Sequence, residues 1–238
     1  MTSAGRLYLI PTPLGEGLPE AVIPAGTLNR LRTIRHFVVE ELRTARRYLS
    51  RINIGAPIDS LVFFELNEHT PVTQDLSVCL QPAFEGYPVG LLSEAGAPAV
   101  ADPGAQLVQL AHECGIEVVP LTGPSSILLA LMASGLNGQQ FAFAGYLPVK
   151  SPERQQCLRQ LEKRSVAQHE TQIFIETPYR NEALLRDILT VCHPRTQLCI
   201  AAGLTQPDAF ILTAAVAQWR HCPLPNLKKR PCVFLIMS

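Results

Sequence analysis

The first half of the chain alternates short, continuous apolar runs with longer amphipathic segments. Two of these segments, 44–52 and 104–115, have helical periodicity, and in the second Leu107, Ala111 and Cys114 share one face. Apolar runs of strand length that alternate with helices are typical of a parallel sheet covered on both faces. The predicted strands are 6–10, 36–40, 60–64, 88–92 and 116–120.

The pattern changes around PLTGPSS at 120–126, where Pro, Gly and Ser interrupt the apolar runs. Strands follow one another more closely toward the end of the chain, which indicates a partly antiparallel sheet. We therefore predict an α/β protein of two lobes, with domains at 1–120 and 121–238, a mostly parallel N-terminal sheet and a mixed C-terminal sheet. The second set comprises helices at 126–135, 152–165 and 179–192 and strands at 140–145, 171–176, 196–202, 209–213 and 232–237.

The composition is that of a globular protein, with 47% hydrophobic and 17% charged residues among 238. The formal net charge is zero, so a polyanionic partner must meet a local basic patch. Seven scattered cysteines without a CxxC pair are typical of reduced thiols in a cytoplasm. The N-terminal segment has no long apolar core, and the longest strongly apolar run, 127–133, is too short to span a bilayer. We therefore expect a cytoplasmic protein without a membrane segment.

Polar or conformationally special residues follow the first four predicted strands. Ligands of open parallel sheets bind beyond the carboxyl ends of the strands. Any one of these residues is equally typical of an ordinary loop or helix cap, but the set together predicts a site at one edge of the sheet. The four segments are 11–15 (PTPLG), 40–43 (EELR), 65–69 (ELNEH) and 93–94 (SE).

The common signatures of nucleotide, metal and hydrolase sites are absent from the sequence. It contains no GxGxxG, GxxxxGK[ST], HExxH or GxSxG motif, and its His–Cys neighbours at 192–193 and 221–222 lack a second ligand pair. No metal site is therefore predicted. Ser125 and Ser126 open a predicted helix, where free N–H groups could bind an anion or where Ser125 could simply cap the helix.

Basic residues are concentrated in three parts of this neutral chain. Seven arginines lie between residues 29 and 51, five Lys or Arg residues lie between 145 and 164, and three more lie at 228–230. Such faces could bind phosphates, although the helix at 152–165 could equally present an ordinary solvated face. The candidate RNA-binding residues are Arg43, Arg46, Arg47 and Lys150.

The chain contains six distinctive segments, which are, in order, IPTPLG (10–15), VEELRTARR (39–47), SEAGAPAVADPG (93–104), PLTGPSS (120–126), GYLPVKSPER (145–154) and IFIETPYR (173–180). Together they resemble motifs of the tetrapyrrole methylase superfamily, and most closely its branch of small-subunit ribosomal RNA cytidine 2′-O-methyltransferases. The resemblance runs from Leu7 to about Arg180 and is most specific in the third and fifth segments. It implies two α/β domains, a homodimer, and S-adenosylmethionine (SAM) held in a cleft between the domains.

The resemblance also assigns residues to the cofactor and to the chemistry. The proline-rich loop after the fourth strand would wrap SAM and present largely backbone groups, at little ordering cost because it is stiff. The acceptor would be an RNA ribose hydroxyl, a weak nucleophile that benefits from a general base. The implied cofactor-binding residues are Pro11, Leu92, Ser93, Glu94, Val100, Ala101, Asp102, Ser125, Ser126, Glu176 and Thr177. The catalytic candidates are Glu40, Glu41, Glu68, His69 and Arg43.

The sequence departs from the family pattern at several positions. Glu94 and Glu41 stand where aspartate is usual, and Glu16 replaces an asparagine. The family's RELTK segment reads AAGLTQ at 201–206, so that Ala202, Gly203 and Gln206 replace two cations and a carboxylate. Two alternatives to RNA methylation therefore stay open: methylation of a tetrapyrrole or another small molecule, and SAM binding without activity.

Overall fold

The computed structural model of the protein describes residues 5–67, 70 and 75–238. The chain forms two compact units, Met1–Ser125 and Ser126–Ser238. Each unit contains one five-stranded sheet with helices packed against it, so the predicted class of an α/β protein is confirmed. The division into domains at 1–120 and 121–238 stays a prediction.

Unit 1 is built on a fully parallel sheet with the strand order β3-β2-β4-β1-β5. Because all five strands run the same way, their carboxyl ends lie at one edge of the sheet. The elements are β1 Arg6–Ile10, α1 Ala25–Leu31, β2 His36–Val39, α2 Leu42–Arg51, β3 Val62–Glu65, α3 Ser77–Phe84, β4 Val89–Leu92, α4 Ala105–Glu113 and β5 Glu117–Pro120.

Both faces of this sheet are buried, which explains why its strands read as continuous apolar runs. Ile10 and Phe37 contribute to one core cluster and Leu7 and Val38 to another, with all four side chains fully buried. Gly90 lies on the central strand β4, where a Cβ would approach Ile10 Cδ1 of the neighbouring strand β1 to 2.5 Å. The side chains of β1 and β2 therefore alternate between two helical layers.

Unit 2 is built on a mixed sheet with the strand order β6-β7-β10-β8-β9. The β6–β7 pair is parallel and the other three pairs are antiparallel, as the close spacing of the late strands predicted. The core includes Trp219, whose indole Nε1–H donates to Leu198 O at 3.0 Å. The elements are α5 Ser126–Ser134, β6 Phe141–Tyr146, α6 Ser151–Gln168, β7 Thr171–Glu176, α7 Asn181–Val191, β8 Gln197–Ala202, β9 Phe210–Ala215, α8 Val216–Trp219 and β10 Cys232–Met237.

Three short helices, α1, α3 and α8, were not predicted from the sequence. The helix α3 contains Pro82, which removes a backbone hydrogen bond from its interior. Burial of Cys79, Leu80 and Ala83 against the sheet stabilises the helix despite this loss. Among the described residues, none of the helices has the length and apolar character needed to cross a lipid bilayer.

Candidate functional site

The loop that follows β4 is hydrogen-bonded to the end of β1. Thr12 N donates to Gly96 O at 2.9 Å, and Gly96 N donates back to Thr12 O at 3.1 Å. The Ser93 hydroxyl donates to Gly96 O at 2.7 Å, and the Thr12 hydroxyl donates to Ser93 O at 3.2 Å. Ser93 and Thr12 are both buried. These bonds fix the start of the proline-rich loop at the carboxyl edge of the sheet.

The same loop has a constrained backbone. Ala99 and Ala101 adopt left-handed φ values of 62° and 60°, and the glycines at 96 and 104 have φ values of 87° and 122°. A left-handed alanine costs about 1–2 kcal/mol, and such strain is concentrated at functional sites in many proteins. The loop is therefore held in one conformation by its hydrogen bonds and its turns.

A pocket of about 460 Å³ opens at this carboxyl edge, and we call it the strand-end pocket. Its walls come from the loop after β1, the end of β2, one face of α2 along its length and the end of β4. Its volume lies within the range of about 300–1,000 Å³ that is common for small-molecule sites. The charged side chains of its lining are Glu16, Glu40, Glu41, Glu94, Arg47 and Arg51.

Among the carboxyl groups near this edge, that of Asp102 has the most strongly shifted pKa. Burial, followed by the negative charges of Glu40 and Glu94, raises its pKa to about 7. Its Oδ2 atom is buried and has no hydrogen-bond partner among the residues that the structure describes. Three carboxyl groups from two strand ends and one loop therefore interact electrostatically, and close to neutral pH one of them retains a proton.

Glu41 has a structural function as the N-cap of α2. Its carboxylate accepts the Arg43 N–H at 3.0 Å, the Thr44 N–H at 2.7 Å and the Thr44 hydroxyl at 2.8 Å. The bond from Arg43 and those from Thr44 lower the pKa of Glu41. A carboxylate so strongly engaged is a poor proton acceptor.

The arginines of α2 lie in different environments. Arg46 forms an ion pair with Asp59, and its guanidinium lies 6.0 Å from the centre of the Phe63 ring. Arg47 lines the strand-end pocket, whereas Arg43 is exposed. The candidate RNA-binding arginines therefore do not form one common cluster. Lys150, in unit 2, is also exposed and lies 3.9 Å from a Glu153 carboxylate oxygen.

The structure brings several of the predicted site residues together in unit 1. Leu92, Ser93, Glu94, Glu40, Glu41 and Arg47 all line the strand-end pocket. Pro11 directly precedes Thr12, which lines the pocket, and its ring packs against Gly123, where a Cβ would meet it at 2.2 Å. Val100 and Ala101 are exposed in the loop. Glu68 and His69 lie outside the described residues.

The remaining cofactor candidates are at the unit boundary or in unit 2. Ser125 ends unit 1, and Ser126 is the first residue of α5. The Glu176 side chain is buried; its Oε1 accepts the Thr177 N–H at 2.7 Å and the Arg180 Nε–H at 2.9 Å. Its Oε2 has no hydrogen-bond partner in the part of the chain that the structure describes.

Sequence reasoning missed some of the residues that line the strand-end pocket. Thr44, Tyr48 and Arg51 lie on the same face of α2 as Arg47. Burial raises the pKa of Tyr48, and its hydroxyl has no hydrogen-bond partner among the described residues. The helical spacing of these residues was the available signal, because positions three and four apart project from one face.

Arg230 fills the space above Gly203 in the segment that departs from the family pattern. Gly203 has a φ of 62°, and a Cβ there would lie 2.8 Å from an Arg230 guanidinium nitrogen. That guanidinium donates to Asp208 O at 2.5 Å and lies 3.1 Å from Asp208 Oδ2. A cation therefore remains in this segment, supplied from the loop before β10.

No cluster of three or more His, Cys, Asp or Glu side chains suited to holding a metal ion occurs in the described ranges 5–67, 70 and 75–238.

Comparison with solved structures defines the class of the fold as that of the tetrapyrrole methyltransferases. The methyltransferase CobJ matches with a TM-score of 0.64 at 18% identity, over 99% of this chain and 95% of that protein. Uroporphyrin-III C-methyltransferase of Thermus thermophilus, solved with S-adenosylhomocysteine, matches with a TM-score of 0.55 at 16% identity, over 98% of each chain. These TM-scores establish a likeness of fold.

Comparison with known sequences then gives the particular family. Ribosomal RNA small subunit methyltransferase I of Escherichia coli O157:H7 is 34% identical over 216 residues, which cover 91% of this chain and 71% of that protein. The Xylella fastidiosa protein of the same name is 31% identical over 243 residues, covering 100% and 83%. The chain belongs to the ribosomal RNA small subunit methyltransferase I family.

The extent of the match differs among the relatives. The Vibrio cholerae protein of this name is 34% identical over 200 residues, which cover 84% of this chain and 65% of that protein's length. No family model matches the chain. Membership confirms the predicted family and the predicted enzyme class, that of the SAM-dependent methyltransferases.

Proposed function

We propose that this chain transfers a methyl group from SAM to small-subunit ribosomal RNA, with a ribose 2′-hydroxyl as the acceptor. The observation that carries the proposal is the similarity to proteins named ribosomal RNA small subunit methyltransferase I, which in one relative covers the entire chain. The strand-end pocket supports it, because it is formed by the segments on which the family resemblance rests.

The charges around the strand-end pocket fit the cofactor. SAM carries a positive sulfonium and an ammonium group, and the pocket presents four glutamates against two arginines. When bound, SAM supplies a methyl group already activated by its sulfonium leaving group. A net acidic site attracts such a cation and leaves the protein to position the acceptor and exclude water.

The proline-rich loop is the proposed cofactor support in unit 1. Ser93 fixes the loop through its bond to Gly96 O, and the left-handed turns at Ala99 and Ala101 set the direction of the backbone groups that follow. A loop ordered in advance loses little entropy when a ligand binds. On this proposal Pro11, Leu92, Ser93, Glu94, Val100, Ala101 and Asp102 contact SAM.

The proposed proton acceptor is one of three neighbouring carboxylates, those of Glu40, Glu94 and Asp102. A ribose hydroxyl must lose its proton as the new oxygen–carbon bond forms, and Glu40, the member of this set without a proposed contact to SAM, is the proposed acceptor. Glu40 lines the pocket and interacts electrostatically with Asp102. Glu41, occupied by the N-cap bonds of α2, is proposed to hold the helix rather than to accept the proton.

Other parts of the proposal rest on the family resemblance. Ser125, Ser126, Glu176 and Thr177 are proposed to contact SAM, and Glu68 and His69 stay catalytic candidates. Arg43, Arg46, Arg47 and Lys150 are proposed RNA contacts, with Arg46 the least suited because Asp59 already pairs with it. The chain is further proposed to act in the cytoplasm as a homodimer, which sedimentation analysis of the purified protein would test.

The decisive experiment is the transfer of tritium from methyl-labelled SAM to small-subunit ribosomal RNA. Digestion of the product to nucleosides should locate the label on a ribose oxygen. Glu40→Gln should lower the rate by about 10²–10⁴-fold, the usual contribution of a general base, with SAM affinity retained. Label on a base atom would exclude the 2′-hydroxyl, and label entering a tetrapyrrole while RNA stays unlabelled would overturn the RNA assignment.

A further inference from the structure

A second concave surface lies within unit 2, on the outer side of α6. We call it the α6 groove; it has a volume of about 460 Å³, and unlike the strand-end pocket it is predominantly basic. One wall is a face of α6, and the other is the segment between α7 and β8 together with the end of β10. Its residues are Arg159, Glu162, Lys163, Val166, His193, Arg195, Thr196 and Ser238.

The acidic side chain of the groove is used to build it. Glu162 Oε1 accepts the His193 N–H at 2.7 Å and also the Thr196 hydroxyl. Thr196 Oγ1 lies 2.6 Å from Ser238 Oγ, so the two walls and the strand end are joined by one hydrogen-bonded chain. Glu162 therefore fixes the floor of the groove and is a weak competitor for a cation at its rim.

The basic side chains of the groove differ from the other basic residues of α6. Arg154 is paired with Asp187, and Arg164 with Glu170 at 2.8 Å. In contrast, no carboxylate of a described residue lies within ion-pair distance of Arg159, Lys163 or Arg195, and all three are exposed. Arg159 and Lys163 are four positions apart on one helical face, an arrangement of like charges that is unfavourable without an anion.

His193 adds a hydrogen-bonding group to the α6 groove. Its Nδ1 accepts the Arg195 N–H at 3.2 Å, which orients the imidazole and the start of the loop that carries Arg195. Val166 is 55% exposed and supplies an apolar surface at the same rim. The groove thus combines three cations in a fixed frame with a small aliphatic patch.

We infer that the α6 groove binds phosphate groups of the RNA backbone, as a contact separate from the strand-end pocket. This inference rests on the proposed function, because it takes RNA as the substrate. Lys and Arg side chains supply most of the affinity for RNA by neutralising phosphates, and they do so independently of sequence. The strand-end pocket presents four glutamates against two arginines, so most of the attraction for the RNA backbone must come from basic residues elsewhere on the protein.

The test compares two double charge reversals in the full chain. K163E/R195E changes the groove, and K228E/K229E changes two exposed lysines of another loop in the same unit, with the same change in net charge. The affinity for a transcript of small-subunit ribosomal RNA is measured by filter binding at several salt concentrations. SAM affinity and thermal unfolding are measured for each variant, since all four positions are exposed and both variants should fold.

The groove variant should lose at least tenfold in RNA affinity at low salt and keep its SAM affinity. The slope of log affinity against log salt concentration should become less steep by about 1.4. Each lost phosphate contact reduces this slope by about 0.7 for single-stranded RNA, and the variant loses two. The lysine variant, K228E/K229E, should retain the RNA affinity and the salt dependence of the unaltered protein. In methyl transfer, the groove variant should show a raised KM for RNA with kcat retained.

The outcomes separate this inference from the proposed function. If the unaltered protein methylates the RNA but K163E/R195E binds it as tightly and with the same salt dependence, the groove assignment is wrong and the function stands. If the unaltered protein transfers no methyl group to RNA while the groove variant alone loses RNA affinity, the function is wrong and the groove stands. Equal losses in the two variants would mean a general charge effect and would also overturn the assignment.

Discussion

Arg154 and Asp187 form a buried ion pair that joins α6 to α7. Arg154 Nε donates to Asp187 Oδ2 at 2.7 Å, and a second guanidinium nitrogen lies 2.5 Å from the same oxygen. Asp187 Oδ1 also accepts from the hydroxyl of Ser151 and the amide of Gln155, each at 2.8 Å. The remaining Arg154 nitrogen donates to Val149 O at 2.8 Å, so one buried guanidinium also holds the loop that precedes α6.

Removal of one partner from this pair should be strongly destabilising. Asp187→Ala leaves Arg154, which is 4% exposed, without its counter-charge, and a buried uncompensated charge typically costs about 3–5 kcal/mol. The matched control is Glu117→Ala, which breaks the exposed pair with Arg6 and should cost much less stability, because solvent screens an exposed pair. Urea unfolding of both variants measures the difference, and equal losses would contradict the structural importance of the buried pair.

Glu41 should affect folding more than chemistry. Glu41→Ala removes the side chain that accepts from Arg43 and Thr44, so the variant should lose the N-cap of α2 and unfold at a lower temperature. Glu41→Ser restores a favourable capping residue, so it should recover most of the stability and also retain methyl transfer. Thermal unfolding and the tritium assay measure the two properties. If Glu41→Ser is stable but inactive, Glu41 takes part in the reaction itself.

Asp102 should make the stability of the protein depend on pH. Burial, followed by the charges of Glu40 and Glu94, raises its pKa from 3.8 to about 7. Between these two values the folded state keeps a proton that the unfolded state has lost, so stability falls as the pH rises through this window. Asp102→Asn removes this effect. The melting temperature of the variant minus that of the unaltered protein should therefore increase between about pH 4 and about pH 7.

Asp75, an exposed carboxylate, provides a control whose pKa shift has the opposite sign. Hydrogen bonds from the hydroxyl and the N–H of Ser77 lower the pKa of Asp75, so its contribution is present at neutral pH and is lost as the pH falls. Asp75→Asn should therefore be less stable than the unaltered protein at pH 7, and the difference should shrink in acid. A flat pH dependence for Asp102→Asn would mean that Asp102 is ionised throughout.

The sheet strands were predictable because their burial is visible in the sequence itself. Strands buried on both faces are continuous apolar runs, and 6–10, 171–176 and 232–237 coincide with β1, β7 and β10. The helices α1 and α3 gave no comparable signal, because they are short and α3 contains Pro82. Their stability comes from packing against the sheet, which a local pattern does not record.

The environments of charged residues were much less predictable. The basic helix at 152–165 had two possible interpretations, a phosphate-binding face or a solvated one, and the structure distributes its residues among different environments. Arg154 is buried with Asp187, 33 positions away, whereas Lys163 is exposed in the α6 groove. The perturbed carboxyl group of Asp102 likewise depends on Glu40 and Glu94, which only the fold brings near it.

Gly203 and Arg230 should be energetically coupled. Gly203→Ala forces a left-handed alanine, which costs about 1–2 kcal/mol, and its Cβ would also displace the guanidinium that binds Asp208. Gly135→Ala is the matched control in the same unit, because Gly135 has a φ of 69° and a Cβ there would meet nothing within 4 Å. Gly203→Ala should therefore be the more destabilising of the two, as measured by urea unfolding.

Arg230→Ala separates the two contributions to this cost. It removes the guanidinium, so Gly203→Ala made in this background should cost no more than the left-handed conformation alone and should match Gly135→Ala. A coupling energy of zero in the double-mutant cycle would mean that Arg230 moves aside freely. In that case the glycine at 203 would be required by its backbone conformation alone.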